Sequence, residues 1–142
     1  MQEQNLRNHS RYVTGYHYIG SPLLLAILIG SFVNLFRSDA ENLYDASLIC
    51  ALAVLSAILG VFVRTFALKA QDRAIHAQEN LRHYVLTGRL LPSNLTVLQV
   101  VALRFASDAE FPTLAEKAAQ EGLSPKRIKQ AIANWKADHY RV

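Results

Sequence analysis

The chain has 142 residues, 51% of them apolar, with 15 Lys and Arg against 11 Asp and Glu and a formal net charge of +4. That length holds one domain, or one small domain plus membrane spans, and the single cysteine, Cys50, excludes an internal disulfide framework. The average composition does not fix the class, but its distribution along the chain does.

Residues 1–17 read as a cytoplasmic amino-terminal arm in which Tyr12, Tyr16 and Tyr18 crowd the start of an apolar run. Such tyrosines form interfacial belts, ring in the headgroups and hydroxyl in water. Residues 18–36 then give 19 positions without a formal charge, and residues 46–63 another 18. At ~1.5 Å per residue each stretch approaches the ~30 Å hydrocarbon thickness, so two transmembrane helices are predicted over 18–36 and 46–68. A buried helix in so small a soluble protein is rarely apolar all round. Pro22 falls in the first turn of the first span, where a missing N–H costs least. A signal peptide is the rival for this segment, with Arg7 and Arg11 as its basic end and Ser38-Asp39-Ala40 resembling a cleavage site. Its apolar core exceeds the usual ~7–15 residues, which disfavours cleavage.

The connecting segment 37–45 carries one Arg against Asp39, Glu41 and Asp45. Arg7 and Arg11 precede the spans, and Arg64, Lys69, Arg73, Arg82 and Arg89 follow them. Positive charge stays inside, which predicts an external loop and two cytoplasmic termini. Within the spans, Ala26, Gly30 and Asn34, and Ser56 and Gly60, recur one turn apart and are candidates for close helix packing. Cys50 is expected to face lipid or a neighbouring helix.

No Pro or Gly interrupts residues 64–87, so the second helix is expected to continue through a juxtamembrane extension, 69–87. Ala67, Ala70, Ala74, Ala77, Leu81 and Tyr84 alternate spacings of three and four, a heptad-like seam open to a second chain, the arm or the terminal domain. A linker, 88–95, leads to a cytoplasmic helical domain, 96–142. There Thr96 and Gln99 fit a capping box for a helix to about Ala106, with Leu98, Val101, Ala102 and Phe105 on its face. Ser107 or Asp108 is the candidate cap of a second helix bearing Phe111, Leu114, Ala115 and Ala118, closed by Gly122 with Leu123 beside it. Ser124 and Pro125 open a third, with Ile128, Ala131, Ile132 and Trp135 on its face. The predicted class is all-α: a two-pass transmembrane hairpin, a long second helix extending into the cytoplasm and a small three-helix domain.

Particular stretches carry a resemblance: Asn8-His9 with Arg11-Tyr12, Arg64 with Phe66-Ala67-Leu68-Lys69, Gln71-Asp72-Arg73, residues 102–108, and Ile128 with Ala131-Ile132, Asn134-Trp135 and Arg141-Val142. On these the chain resembles an uncharacterised family of small bacterial two-span membrane proteins, one of the domain-of-unknown-function families. The resemblance implies a bacterial membrane setting and brings no activity, cofactor or catalytic residue.

Asp72, His76, Glu79 and His83 share one face of the extension at spacings that helical bundles use for divalent metals. One straight helix cannot close a coordination sphere, and Arg73 and Arg82 alongside suit a solvated face of i, i+4 pairs better. Lys126, Arg127, Lys129 and Lys136 make the last helix basic after a Gly-containing corner, and residues 64–142 hold 12 Lys and Arg against 7 acids. That permits phosphate contact, but a plain helical corner needs the same Gly and Ser-Pro, so nucleic acid is disfavoured as a partner. Tyr12, Tyr16, Tyr18, Arg64 and Lys69 are the lipid-headgroup candidates. No nucleophile–base spacing, phosphate loop or thiol motif stands out, so neither catalysis nor a cofactor is expected. The reading is a non-enzymatic, self-associating membrane anchor with lipid around it and a cytoplasmic protein partner. A homo-oligomeric channel is the alternative and a tethered nucleic-acid binder the third.

Overall fold

The computed structural model describes residues 5, 6, 8 and 12–138. Arg7, Arg11, His9 and the Arg141-Val142 pair, used above for orientation and resemblance, lie outside the described residues, as do residues 1–4, 10, 139 and 140. Among the described residues the regular elements are a π-helical turn, Gly15–Gly20, and five α-helices: α1 (Ser21–Arg37), α2 (Leu43–Thr87), α3 (Val97–Leu103), α4 (Phe111–Glu121) and α5 (Pro125–Ala131). The fold is therefore all-helical. It divides into two units, Tyr12–Ala67 and Leu68–Val142 with Met1–Arg11, and α2 contributes residues to both.

The first unit is a helical hairpin turned by residues 38–42, where the Asn42 N–H donates to the Asp39 carbonyl at 3.0 Å. The turn is tighter than residues 37–45, because helix continues into polar residues at both ends. Ser38 Oγ donates to the Asn34 carbonyl at 2.7 Å, satisfying one of the carbonyls left open where α1 ends. Both arms are long and apolar enough to cross a membrane, and of the most apolar 18 residues in each only 6% and 17% are buried. A soluble core helix would be mostly buried.

Helix begins before Pro22 rather than at it. A proline in running helix has no N–H for the preceding turn and its ring crowds a carbonyl there. The turn ahead of it has widened to π register, with the Ser21 N–H and Oγ both donating to the Tyr16 carbonyl.

The hairpin contact uses a different face of α1 from the small-residue row. Ser31 is buried and Leu24, Leu28 and Leu35 are half-buried, whereas Ala26, Gly30 and Asn34 are exposed. On α2 the inward residues are Ala46, Cys50 and Ala53, then Ala57 and Gly60, while Ser56 faces out and bonds its hydroxyl to the Leu52 carbonyl at 2.7 Å. Small side chains on α2 thus receive leucines of α1, rather than small meeting small. Gly60 alone of the proposed packing residues lies at the contact, with Leu24 Cδ2 3.7 Å from where its Cβ would stand.

The second unit has a conventional dry core. Val100, Leu103, Phe105, Phe111 and Ile128 are fully buried, and Leu91 and Leu95 join them from the segment before α3. The predicted starts and stops at Gly88, Thr96, Gly122 and Ser124 are all in place. Gly88 and Gly122 have φ of 73° and 61°, the left-handed conformation that ends helices. Thr96 and Gln99 cap each other reciprocally, and Ser124 Oγ accepts from the Arg127 N–H at 3.3 Å.

Several faces differ from expectation. Leu98 is 59% exposed, and Val100 and Leu103 take its place inward. Neither Ser107 nor Asp108 caps α4: its N-cap is Glu110, which makes no side-chain cap bond. α3 and α5 both stop early, at Leu103 and Ala131, and Ala131 is exposed. The cause is one exchange of backbone bonds. The Ser107 N–H donates to the Asn134 carbonyl at 3.1 Å and the Lys136 N–H to the Phe105 carbonyl at 2.7 Å, forming an isolated bridge that pairs Ala106 with Trp135. Glu110 reinforces it by accepting from the Ser107, Ala133 and Asn134 N–H groups.

The structure also reverses the two faces of the extension. Ile75, Glu79 and His83 are buried, while Ala67, Ala70, Ala74, Ala77, Leu81 and Tyr84 are exposed. The segment after Gly88 folds back over the former, with the Leu91 N–H donating to Asn80 Oδ1 at 2.9 Å and His83 Nδ1 to the Arg89 carbonyl at 2.8 Å.

Unbroken helix through Ala74 predicts that Ala74→Pro costs ~3 kcal/mol or more by removing a backbone bond and clashing with the previous turn. Asn94→Ala loses one exposed bond, to the Ala119 carbonyl at 2.8 Å, and should cost about 1 kcal/mol. Thermal unfolding of the full chain followed by circular dichroism separates the two; equal losses would contradict helix at Ala74.

Candidate functional site

Arg82 is the most heavily engaged side chain of the second unit. Its Nη1 donates to Glu79 Oε2 at 2.8 Å, its Nη2 to the Ala106 carbonyl at 2.8 Å and its Nε to Asp108 Oδ1 at 2.7 Å. The guanidinium lies over the Phe111 ring, 4.4 Å from its centroid, and the His83 ring meets the same phenyl edge-on at 5.7 Å. Arg82 and Glu79 are both nearly buried, at 11% and 8% side-chain exposure. The position reads in sequence as a surface charge paired along its own helix, and the only hint otherwise is that Ile75 and Arg82 share a face. Its partners at 106 and 108 are two dozen residues away, beyond any local pattern.

The four metal candidates do not assemble. Glu79 is held by Arg82, His83 commits Nδ1 to the Arg89 carbonyl, and Asp72 and His76 are partly exposed. Among the described residues no three His, Cys, Asp or Glu side chains are placed to hold a metal ion.

The basic residues also divide. Lys126 and Arg127 are exposed, whereas Lys129 Nζ lies 5.7 Å from the Phe105 ring centroid and Lys136 Nζ lies 3.9 Å from Asp108 Oδ1. The helix that carries the first three has seven residues. Arg104 is buried beneath them, ion-paired to Asp138 at 3.0 Å and set over the Phe105 ring. This arrangement braces the last segment rather than presenting a row of cations.

On the opposite side of α2 from Glu79, the exposed row runs Ala70, Ala74, Ala77, Leu81 and Tyr84, with Val85 beside it and 74% exposed. Leu90 and Leu98 add exposed leucines at 62% and 59%. The positions flanking the row are Gln71, Arg73, Gln78, Asn80 and Val85, so only one charge borders it.

In the hairpin unit, Tyr12, Tyr16 and Tyr18 gather with His17, ring centroids 5.1–6.4 Å apart. Arg64 sits over the Tyr16 ring at 5.5 Å, and Lys69, in the second unit, is exposed.

The family of unknown function DUF6526 matches residues 1–142, and the chain belongs to it. No curated protein and no solved structure matches.

The Arg82 arrangement makes two predictions. Arg82→Met leaves Glu79 buried without its partner and should cost ~3–5 kcal/mol, while Glu79→Met with Arg82→Met recovers much of it. Hydrogen exchange in α3–α5 of the full chain reads both. The second concerns Asp108, whose carboxyl is held below its usual value of 3.8 by the hydrogen bond from Arg82, then by the Arg82 charge and, less, that of Lys136. A lowered value stabilises the fold above pH ~3.8, and the effect is lost as pH falls through the folded-state value. Asp108 is 63% exposed, so screening limits the gain and Asp108→Asn should cost about 0.5–1 kcal/mol at neutral pH. The gap between variant and wild type should close below pH ~4; a gap unchanged at pH 3 would refute the assignment.

Proposed function

We propose that this chain is a two-span anchor of a bacterial inner membrane, with both termini cytoplasmic, whose helical unit is a non-enzymatic interaction module that pairs with a second copy of itself. The observation that carries the anchor is the contrast between the two units. Away from the contact between its arms the hairpin exposes leucine, isoleucine, valine and phenylalanine throughout, whereas the other unit gathers Val100, Leu103, Phe105, Phe111 and Ile128 into a closed core. Only a hydrocarbon solvent makes the first arrangement stable without a partner on every side.

Orientation rests on charge: the hairpin turn holds Asp39, Glu41 and Asp45 against Arg37, and no acid occurs in residues 46–71 beyond it. Self-association is supported by the exposed row on α2. Its spacing of four and three is that of helices that pair side by side, and copies in one membrane share the parallel orientation such pairing uses. The flanking glutamines, Asn80 and Val85 impose no like-charge repulsion.

Both halves can be tested in a Cys50→Ala background. An Asn42→Cys thiol should react with an impermeant reagent applied outside the cell and a Ser93→Cys thiol should not; the reverse would invert the topology. An Ala77→Cys thiol should form disulfide-linked dimers under mild oxidation in native membranes, and Glu116→Cys, exposed on α4, should not. Equal yields at the two sites would discard the row as an interface.

A further inference from the structure

We propose that the hairpin holds a specific anionic phospholipid, with one acyl chain in the groove between α1 and α2 and the phosphate on Arg64. The proposal rests on the membrane reading above and adds a ligand to it. The groove has a volume of about 430 Å³, with Leu24, Leu25 and Leu28 on one wall, Ala57 and Gly60 on the other and Tyr16 at one end. Water occupies ~30 Å³ in the liquid, so the space is many times that of one small group and admits a segment of a single acyl chain.

Two features make the groove. On α2, Ala57 supplies a single methyl and Gly60 no side chain to fill it, and a Cβ at Gly60 would meet only Leu24 Cδ2, at 3.7 Å. On the other side the π-helical turn widens the backbone where Tyr16, Gly20 and Ser21 line the space. The aliphatic hydroxyl in the lining, Ser21 Oγ, is already bonded to the Tyr16 carbonyl at 2.9 Å. A lining so apolar offers water no partners, whereas a hydrocarbon chain needs none. From Gly20 to Leu28 the groove follows α1 for ~12 Å, which fits inside one leaflet of ~15 Å.

The charge at the Tyr16 end selects the headgroup. Arg64 lies one turn beyond Gly60 and is only partly exposed, its guanidinium stacked over Tyr16 at 5.5 Å. Among the described residues no carboxylate pairs with it. The acids of the hairpin unit, Asp39, Glu41 and Asp45, are all at its turn. A guanidinium whose ring contact leaves its N–H edges open presents the fork that fits phosphate oxygens. The ammonium of a zwitterionic lipid would find no acid at this end, so a net-negative headgroup is favoured.

The test uses the full chain, purified in mild detergent and examined by native mass spectrometry with added phosphatidylglycerol, phosphatidylcholine or glycerol 3-phosphate. Wild type should retain one phosphatidylglycerol per chain, about fivefold more tightly than phosphatidylcholine, the effect of one interfacial cation on an anionic lipid. Arg64→Gln should abolish that preference while still holding either lipid. Ala57→Leu, which fills the groove, should lose both, and Ser56→Leu, on the outward face, should lose neither. Binding of glycerol 3-phosphate as tight as that of the lipid would make this a free-phosphate site and overturn the proposal. So would wild type without headgroup preference, Arg64→Gln behaving as wild type, or Ala57→Leu keeping its lipid while losing its oligomer, which would assign the groove to a second copy. Asn42→Cys labelling of the same variants in cells, in the Cys50→Ala background, separates the two readings. If labelling places the turn outside and lipid selectivity is absent, the lipid site alone fails; if the chain is washed from membranes by alkaline carbonate, both fail.

Discussion

The helical unit is organised around the cost of taking one guanidinium out of water. Arg82 sits in a helix whose neighbouring turns bury Ile75, Glu79 and His83, so it cannot reach solvent without exposing them. Each direction in which it would have been hydrated is filled by a specific group: a carboxylate from its own helix, a carboxylate and a carbonyl from residues 106–108, and an aromatic face. Such sites add little net stability over an apolar equivalent, but they tolerate very few alternative arrangements. The Ala106 carbonyl must turn toward Arg82, which leaves the Phe105 carbonyl and the Ser107 N–H directed away from it. Those are the two groups that accept and donate to Lys136 and Asn134. The early ends of α3 and α5, the bridge between them and the triple acceptance by Glu110 follow from that alternation.

What was legible in the sequence was local. Thr96 with Gln99, Gly88, Gly122 and Ser124 with Pro125 act on backbone groups within four residues, so their identities alone nearly determine what they do. The two long apolar helices were legible for a different reason, since length without charge needs no knowledge of partners. Faces were not legible where the deciding neighbour is distant. Leu98 and Val100 are equally apolar, and only the corner after α4, where Gln99 Nε2 bonds the Leu123 carbonyl at 2.8 Å, sets the rotation of α3 that brings Val100 inside. On the extension, the charged face went inward and the alanine face outward. A rule that puts charge in water fails where partners at 106 and 108 replace the water.

Inside the spans the same problem takes another form. Both stripes of α1, Leu24–Leu28–Ser31–Leu35 and Ala26–Gly30–Asn34, have helical spacing and neither is charged. The partner decides between them. Because α2 offers Ala46, Cys50, Ala53 and Ala57, the space it leaves suits leucine, and small residues on both sides would leave less surface in contact. The match is good near the turn and loosens toward Tyr16, where Ala57, Gly60 and the widened helical turn coincide. The apolar groove beside Tyr16 is a consequence of where the small residues of the hairpin fall.

That asymmetry bears on how α2 can serve two purposes. An alanine-rich row with Leu81 and Tyr84 at one end buries too little for a tight pair between molecules free in three dimensions. Two anchors confined to one membrane differ from that case, because orientation and one translational direction are already fixed and the effective concentration of one row near another is high. Weak complementarity then suffices, provided nothing repels. The flanks of the row meet that condition, with Arg73 the only charge among them. The other charges that α2 carries between Ala70 and Tyr84, Asp72, Glu79 and Arg82, lie on the face its own unit uses. Placing the costly ion pairs inside and leaving alanine outside is therefore consistent: buried charge fixes the rotation of the helix, and that fixed rotation is what leaves the row exposed.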